Sequence, residues 1–239
     1  MRIDILTIFP SLISSFVNES LIGKAQESGR LEISALDIRE GASGVHKAVD
    51  DTPFGGGPGM VLKPDPIFNV VENKNPPRPL YLLSPAGEPF SHSKAKELSK
   101  LDGFSLLCGR YEGVDQRVRD HLIDGEISLG DFVLAGGEIA ALAIVETVTR
   151  LIPGVMGNIE SAASESFTQG LLEYPQYTRP WDFEGLTPPD ILRSGNHKEI
   201  ELWRKAKALE ITLSNRPDLI EKRGGLTDQE QSLLERKFT

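Results

Sequence analysis

The sequence predicts an α/β protein with a parallel sheet, followed by a small α-helical second domain. Four apolar runs, at residues 3–9, 31–38, 80–83 and 104–108, are typical of buried strands. Amphipathic stretches separate these runs, and helices that connect successive strands favour parallel pairing with helices covering the sheet. Beyond residue 157 the pattern changes to proline-rich turns and helical stretches, which indicates a separate domain.

Helical patterns occupy three stretches before residue 157 and three after it, at residues 10–29, 91–100, 138–151, 198–213, 217–222 and 227–237. Pro10 and Ser11 are expected to begin the first helix, and Gly29 is expected to end it. The third stretch has a continuous apolar face and is expected to end before Pro153 and Gly154.

The composition predicts a soluble, cytoplasmic protein. Cys108 is the single cysteine among the 239 residues, so no internal disulfide can form and a reducing compartment fits best. The amino terminus lacks a basic segment leading into a long apolar stretch, and no apolar run reaches about 18 residues, so neither secretion nor a membrane span is expected. The net charge is −9, yet residues 193–239 hold ten basic and eight acidic side chains. This mildly basic end permits RNA binding without arguing strongly for it.

A glycine-rich segment at residues 49–60 differs from an ordinary connection. It carries Asp50 and Asp51, followed by four glycines among residues 55–59. It lacks the Gly-Lys-Ser/Thr ending of a phosphate-binding P-loop, and it does not open the first strand–helix unit as a dinucleotide-binding fingerprint would. A long irregular surface loop is one interpretation, but glycines beside two carboxylates favour a functional loop.

Three further glycine-bearing segments occupy residues 82–87, 108–117 and 127–138. The first two follow predicted strands, and the third leads into the predicted helix 138–151. Because ligands of open α/β sheets gather outside the carboxyl ends of the strands, these loops could together enclose one flat heterocycle. Backbone groups would then read its edge, and Leu83, Leu129 and Leu134 would cover its faces. The alternative is three tight turns.

The histidines, the cysteine and the tryptophans give weaker indications of function than the glycine-bearing segments. The four histidines have no ligand spacing, so zinc is not expected, and no Gly-x-Ser-x-Gly segment supports acyl-transfer chemistry. Cys108 ends an apolar strand and is expected to be a buried small residue rather than a nucleophile. Trp181 and Trp203 could stack on bases, although packing in a core is an equal alternative.

Seven segments together resemble the tRNA (guanine-N1)-methyltransferases of the knotted SPOUT class, over nearly the whole chain. They are residues 2–10, 55–60, 108–113, 128–138, 153–157, 177–180 and 192–197. The resemblance implies a deep trefoil knot in the carboxyl-terminal part of the first domain, a rare topology. It also implies S-adenosylmethionine bound inside the knot and an obligate homodimer with active sites shared between subunits. The implied target is the guanine immediately 3′ of the tRNA anticodon, when another guanine precedes it.

By this resemblance, residues 1–157 form the knotted catalytic domain that binds the cofactor, residues 158–171 a flexible linker, and residues 172–239 a helical domain that binds the tRNA anticodon stem-loop. The implied cofactor pocket consists of backbone and side chains from the glycine-bearing segments, at Leu83, Ser84, Pro85, Gly109, Tyr111, Gly113, Ser128, Leu129, Gly130, Asp131, Phe132, Val133, Leu134, Gly136 and Gly137. The implied RNA contacts are Asp50, Asp51, Gly55, Gly57, Gly59, Ser166, Arg179, Ser194, Asn196 and His197.

The chemistry requires two catalytic groups. Guanine N1 carries a proton at neutral pH, so a general base must free its lone pair, and a positive group must lie near O6, where negative charge develops. The family's arginine at the end of the long helix corresponds to Arg150. Its aspartate in the linker corresponds to Glu165, which has a nearly equal intrinsic pKa but one extra methylene group. We therefore predict Glu165 as the base, with slower turnover than an aspartate would give.

Two further residues depart from the family or carry an implied role. Phe132 stands where tyrosine is common, which keeps a stacking surface and removes a hydroxyl group. Family members require a divalent cation, usually magnesium, and Glu112 is the implied ligand, since one carboxylate suffices for a mostly hydrated ion. The alternative is that Glu112 only caps its turn.

Two other functions remain open from the sequence. One is a related SPOUT enzyme that modifies another nucleotide or another RNA, which the segments 177–180 and 192–197 argue against. The other is a catalytically weak or degenerate RNA-binding protein, since no aspartate occurs between Gly157 and Trp181. Arg150 and the complete set of pocket segments argue against the second.

Overall fold

The computed structural model describes residues 1–156 and 166–238. The chain forms two compact units, Met1–Gly157 and Asn158–Thr239. Glu165 and the rest of the predicted linker up to that residue lie outside the described residues. None of the helices in the two described ranges combines the length and the apolar character needed to cross a bilayer.

A five-stranded parallel sheet forms the centre of the first unit. Its strands are β1 (Arg2–Thr7), β2 (Glu32–Asp37), β5 (Leu80–Pro89), β6 (Gly103–Cys108) and β7 (Gly125–Ser128), and a short antiparallel pair consists of β3 (Asp50–Asp51) and β4 (Val61–Leu62). The order across the sheet is β2-β1-β6-β5-β7, with every neighbouring pair parallel. This confirms the predicted α/β class, and it brings the carboxyl ends of these strands to one edge.

Helices cover both faces of this sheet. They are α1 (Pro10–Val17), α2 (Ser20–Glu27), α3 (Pro64–Lys74), α4 (His92–Leu98), α5 (Gln116–His121) and α6 (Glu138–Leu151). On one face, Ile5 and Phe104 pack with buried residues of α1, α2, α4 and α6. On the other face, Leu6 and Leu107 pack with α3 and α5. Each fully buried side chain of this size contributes about 1.5–3 kcal/mol, so the apolar strand runs are explained by burial on both sides.

The structure corrects the prediction of one helix over residues 10–29. Two helices are present, because the chain turns a corner between Val17 and Ser20. The Asn18 amide donates to the carbonyl oxygen of Ser14 at 2.8 Å, which satisfies a carbonyl in the last turn of α1. Ser20 then has a φ of 55°, which interrupts the helical path before α2 begins.

Several other elements differ from the predictions. Strand β5 continues to Pro89 instead of ending at Leu83, with an irregular register against β7 between Leu83 and Glu88. The prediction did not include β7, α3, α5 or the β3–β4 pair. β7, α5 and the β3–β4 pair are short, so their conformation depends on packing against the sheet. α3 has 11 residues, and its pattern was missed although it begins at Pro64.

The second unit is helical, with α7 (His197–Asn215), α8 (Pro217–Lys222), α9 (Asp228–Leu234) and a 3₁₀ turn at Asp190–Arg193. Leu171, Leu209, Ile220 and Leu233 belong to its buried core. This confirms the three helical stretches predicted beyond residue 197. Thr227 was predicted as the first residue of the last helix, but it is the N-cap of α9 and forms a capping box with Glu230.

Glu230 links α9 to the preceding turn. It is buried, accepts from Arg223 Nη2 at 2.6 Å and from the Thr227 backbone N–H at 3.1 Å. Burial opposes ionisation of this carboxyl, but the Thr227 N–H and the Arg223 guanidinium outweigh it, so its pKa lies below the ordinary value of 4.5. Its contribution to stability is therefore present above about pH 4.5 and is lost as the pH falls through the lowered folded pKa.

We expect Glu230→Gln to lower the free energy of unfolding by about 1 kcal/mol at neutral pH, because glutamine keeps the shape and loses the charge. Thermal unfolding of variant and wild type, measured at about pH 7 and about pH 3, should show a difference that shrinks at the lower pH. Glu235→Gln, at an exposed position after the same helix, is the control. An equal difference at both pH values would contradict the ionic origin.

Candidate functional site

A cavity of about 260 Å³ opens at the carboxyl ends of β5, β6 and β7. All residues of the predicted cofactor pocket line this cavity except Asp131. The lining also includes Leu82, Arg110, Glu112, Val114, Arg119, Ile127, Ala135 and Ala140, which were not predicted as pocket residues. The three glycine-bearing segments thus meet around one space, as expected from the topology of a parallel sheet.

Local hydrogen bonds shape two of the three loops. After Leu83, the Ser84 hydroxyl accepts from the Ala86 N–H at 3.0 Å, within the stretch where the register of β5 against β7 is irregular. After β7, the Ser128 hydroxyl lies 3.2 Å from both the N–H and the carbonyl oxygen of Gly130. Both serines are buried. The two hydroxyl groups therefore stabilise the loops from inside.

The remaining loop, which follows β6 at residues 108–117, is in direct backbone contact with the start of α6. The N–H of Gly137 donates to the carbonyl oxygen of Gly109 at 2.9 Å. A Cβ at Gly137 would lie 2.8 Å from Cys108 Cα, closer than any side chain fits. Glycine at this position therefore lets β6 and α6 close one side of the cavity.

Apolar side chains surround the mouth of the cavity. Phe132 is 55% exposed, and Tyr111 and Val133 are also exposed. Leu129 is more enclosed and packs against the core beside α6. Exposed aromatic and aliphatic groups around a space lined by backbone N–H and C=O groups are typical of a site for a flat, partly polar ligand.

The glycine-rich segment is joined to the cavity by backbone hydrogen bonds. The N–H of Glu112 donates to Met60 O, that of Leu62 to Gly113 O, and that of Asp115 to Leu62 O, each at 2.9 Å. The Glu112 carboxyl group lies directly over Gly59, where a Cβ would overlap it. Gly59 also has a φ of +82°, a conformation that favours glycine at this position.

The predicted RNA contacts of this segment lie on and after β3. Asp50 and Asp51 pair with β4, and Asp51 accepts from the Thr52 N–H at 2.8 Å. Gly55, Gly57 and Gly59 follow at exposed positions with positive φ. The segment therefore presents its carboxylates and glycines beside the loop that carries Glu112.

Of the two predicted catalytic residues, the structure describes Arg150 only. Arg150 lies in the last turn of α6 and is partly buried. Glu165 lies outside the described residues. Ser166, which follows it, accepts from the Glu173 N–H through its hydroxyl at 3.0 Å.

Three predicted RNA contacts of the second unit, Ser194, Asn196 and His197, lie just before and at the start of α7. Asn196 caps this helix through the Glu199 N–H at 3.3 Å, and Ser194 accepts from the Asn196 N–H at 3.1 Å. His197 is the first residue of the helix, and Arg179 is exposed earlier in the chain, before the 3₁₀ turn at Asp190–Arg193.

The two tryptophans differ in exposure. Trp203 is 3% exposed and packs beside Tyr177 with ring centroids 6.5 Å apart, which makes it a core residue. Trp181 is partly exposed, and the Arg193 guanidinium lies 4.5 Å from its ring centre. Stacking on a base is thus open to Trp181 and blocked for Trp203.

Cys108 is completely buried, and this burial raises the pKa of its thiol well above the ordinary value. It is therefore a small core residue, as predicted, and not a nucleophile. Within residues 1–156 and 166–238, no three His, Cys, Asp or Glu side chains are grouped so that they could hold a metal ion.

Comparison with known proteins assigns the chain to a family. A family profile described as tRNA (Guanine-1)-methyltransferase TrmD matches residues 1–222. Similar proteins from Staphylococcus aureus strains JH9, N315 and Newman, each named tRNA (guanine-N(1)-)-methyltransferase, are 50% identical over 238 residues. These matches cover 99% of this chain and 97% of each relative.

Proposed function

Because the chain belongs to the tRNA (guanine-1)-methyltransferase family, we propose that it transfers a methyl group from S-adenosylmethionine to N1 of the guanine immediately 3′ of a tRNA anticodon. The observation that carries this proposal is the cavity at the ends of β5, β6 and β7. Its glycine-rich walls offer backbone groups to the edge of a purine, and its apolar side chains offer cover for the ring.

The residues around the cavity fit S-adenosylmethionine. Leu129 and Leu134 would cover the adenine, and backbone groups near Gly109, Gly130 and Gly136 would recognise its polar edge. When bound, the cofactor supplies a methyl group attached to a positively charged sulfur. The chain itself must orient this group, exclude water from it and prepare the guanine.

Two side chains are proposed to prepare the guanine. Glu165 would accept the proton from N1 and so free the lone pair that attacks the methyl group. Arg150 would lie near O6 and stabilise the negative charge that develops there as the proton leaves. Asp50 and Asp51 would contact the guanine once it has left the stack of the anticodon loop.

We propose that the active chain is a cytoplasmic homodimer with a trefoil-knotted first domain and shared active sites. An exposed apolar surface supports the dimer. Leu12 and Phe16 on α1 and the 60%-exposed Ile139 on α6 all face solvent, and α1 packs against α6. Exposed apolar side chains on two helices that pack together are typical of a subunit interface.

The proposed division of labour follows the two units. Residues 1–157 would bind the cofactor and carry Arg150, residues 158–171 would carry Glu165, and residues 172–239 would bind the anticodon stem-loop. The exposed positions of Arg179, Asn196 and His197 support the last role. Serine, asparagine and arginine side chains of this kind commonly bind phosphate and sugar oxygens.

The site fits a divalent cation only if the ion keeps most of its water ligands. Glu112 contributes an exposed carboxylate to the cavity, without a group of three ligating side chains in the described parts of the chain. Such a donor set is compatible with Mg²⁺ that keeps most of its water molecules. Glu112 would hold this ion near the methionine portion of the cofactor.

Single-turnover methyl transfer tests the proposal. Labelled S-adenosylmethionine and an unmodified tRNA transcript with guanine at the target and at the preceding position should give label at N1 of the target guanine, located by nuclease digestion. A transcript with adenine at the target position is the matched control and should take up no label. Binding of the first transcript without any transfer would instead support the degenerate RNA-binding protein.

A further inference from the structure

Three chain segments that are distant in sequence meet at one buried carboxylate behind the cavity. Glu138, the first residue of α6, is 1% exposed. Its Oε1 accepts from the Thr7 hydroxyl at 2.7 Å, and its Oε2 accepts from Arg110 Nε at 3.0 Å. Thr7 is the last residue of β1, and Arg110 lies in the loop after β6. The carboxylate therefore joins the sheet, a cavity loop and a helix.

Both oxygens of the Glu138 carboxylate accept a hydrogen bond. A buried carboxylate is costly unless it is paired and hydrogen-bonded, and Glu138 has both partners and the positive end of the α6 dipole. The Thr7 hydroxyl also accepts from the Phe9 N–H at 2.9 Å. The Arg110 guanidinium lies 4.6 Å from the Phe9 ring centre, which fixes its plane.

Arg110 lines the cavity, and its partner Glu138 lies outside the lining. Arg110 and Gly136 form an antiparallel backbone bridge. A Cβ at Gly136 would overlap Arg110 Nε and would lie 2.6 Å from Glu138 Oε2. Gly136 and Gly137 line the cavity on their other side. A side chain at position 136 would therefore have to displace the Arg110–Glu138 pair, which packs directly against this wall.

We propose that Glu138 is a positioning residue for the cofactor. Through Arg110 it holds the loop at residues 109–113 against residues 136–137, and through Thr7 it anchors both to the sheet. This inference rests on the proposed function, since it assumes that S-adenosylmethionine occupies the cavity. Glu138 is not among the residues that line the cavity, so it would act through Arg110 and the backbone that do line it.

A purely structural role makes a different prediction. If Glu138 only stabilised the fold, its replacement would lower the melting temperature and leave cofactor affinity unchanged in the folded protein. A positioning role requires that cofactor binding weakens at temperatures where the protein is fully folded. It also requires that KM for S-adenosylmethionine rises while KM for tRNA stays within about twofold, because the RNA contacts lie elsewhere.

The test is calorimetric titration of the full-length chain with S-adenosylmethionine, for wild type, Glu138→Gln and Arg110→Met. Glutamine keeps the shape of Glu138 and its bond to Thr7 but loses the ionic partner of Arg110. Each variant should bind roughly 10- to 100-fold more weakly, by analogy with the loss seen when residues that orient metal ligands are removed. The double variant should bind no more than about twofold more weakly than either single one, because both changes break one interaction.

Asp65→Asn is the matched control, since it removes another carboxylate from the first turn of a helix. Asp65 lies in α3 and pairs with Lys63 at 3.2 Å, and neither residue lines the cavity. This variant should bind S-adenosylmethionine as wild type does. Wild-type affinity in folded Glu138→Gln and Arg110→Met, or additive losses in the double variant, would overturn the positioning role alone. Failure of the wild type to bind would overturn it together with the proposed function.

Discussion

Glu165→Ala is expected to slow single-turnover methyl transfer to tRNA by at least about 100-fold, the lower end of what a general base contributes. Cofactor affinity should not change, because the residue is proposed to act on guanine N1. Glu165→Asp should keep or improve the rate, since it restores the shorter side chain common in the family. Measuring the rate with saturating enzyme separates this chemical step from product release.

Glu160→Ala provides the control for charge, because Glu160 is the other carboxylate between Gly157 and Ser166. Its rate should equal that of the wild type. Arg150→Ala should lose about 100- to 1,000-fold through the unstabilised charge at O6. If Glu165→Ala transferred methyl groups at the wild-type rate, the family assignment would stand and the base would have to be sought elsewhere.

Gly137→Ala is expected to abolish measurable cofactor binding and to reduce methyl transfer by more than about 100-fold. Its new Cβ would lie 2.8 Å from Cys108 Cα, and neither backbone can retreat without opening the cavity wall. A displacement of about 1 Å in a positioning element already costs on the order of 100-fold in rate. Titration with S-adenosylmethionine and single-turnover transfer would measure the two effects.

Gly103→Ala is the matched control for Gly137→Ala. It adds a Cβ 2.5 Å from the carbonyl oxygen of Arg2, at the opposite end of β6 from the cavity. Both variants should unfold at lower temperature, but only Gly137→Ala should lose cofactor affinity while folded. Equal affinity in the two variants would show that the close approach of β6 and α6 does not shape the site.

The sequence predicts those elements best whose signal is local. Helix α6 has the predicted bounds, because a continuous apolar face precedes a Pro-Gly stop. Strand β7 has four residues, of which Glu126 is charged, and it becomes a strand only by pairing with β5. The corner between α1 and α2 combines a side-chain hydrogen bond of Asn18 with the positive φ of Ser20, and a periodic pattern encodes neither.

In the candidate site, too, features with a local sequence signal could be predicted and long-range contacts could not. Glycine-bearing loops after strands indicate a ligand site, because parallel strands deliver their carboxyl ends to one edge. The network of Thr7, Arg110 and Glu138 could not be predicted, since Thr7 and Glu138 are 131 residues apart in sequence. Glu138 carries a weak signal in retrospect. A glutamate directly after two glycines at a helix start is well placed to accept a partner from outside the helix.

The length of α6 bears on the number of chains that one active site needs. The cavity lies at the first turn of this helix, and Arg150 lies in its last turn. Positions 138 and 150 are separated by ~18 Å along the axis, at about 1.5 Å per residue. With the guanine placed over the cavity as proposed, an arginine side chain is too short to return over that distance, and the guanidinium beside it would come from a second copy of the chain. Turnover would then depend on the concentration of paired chains, and the rate per chain would fall on dilution.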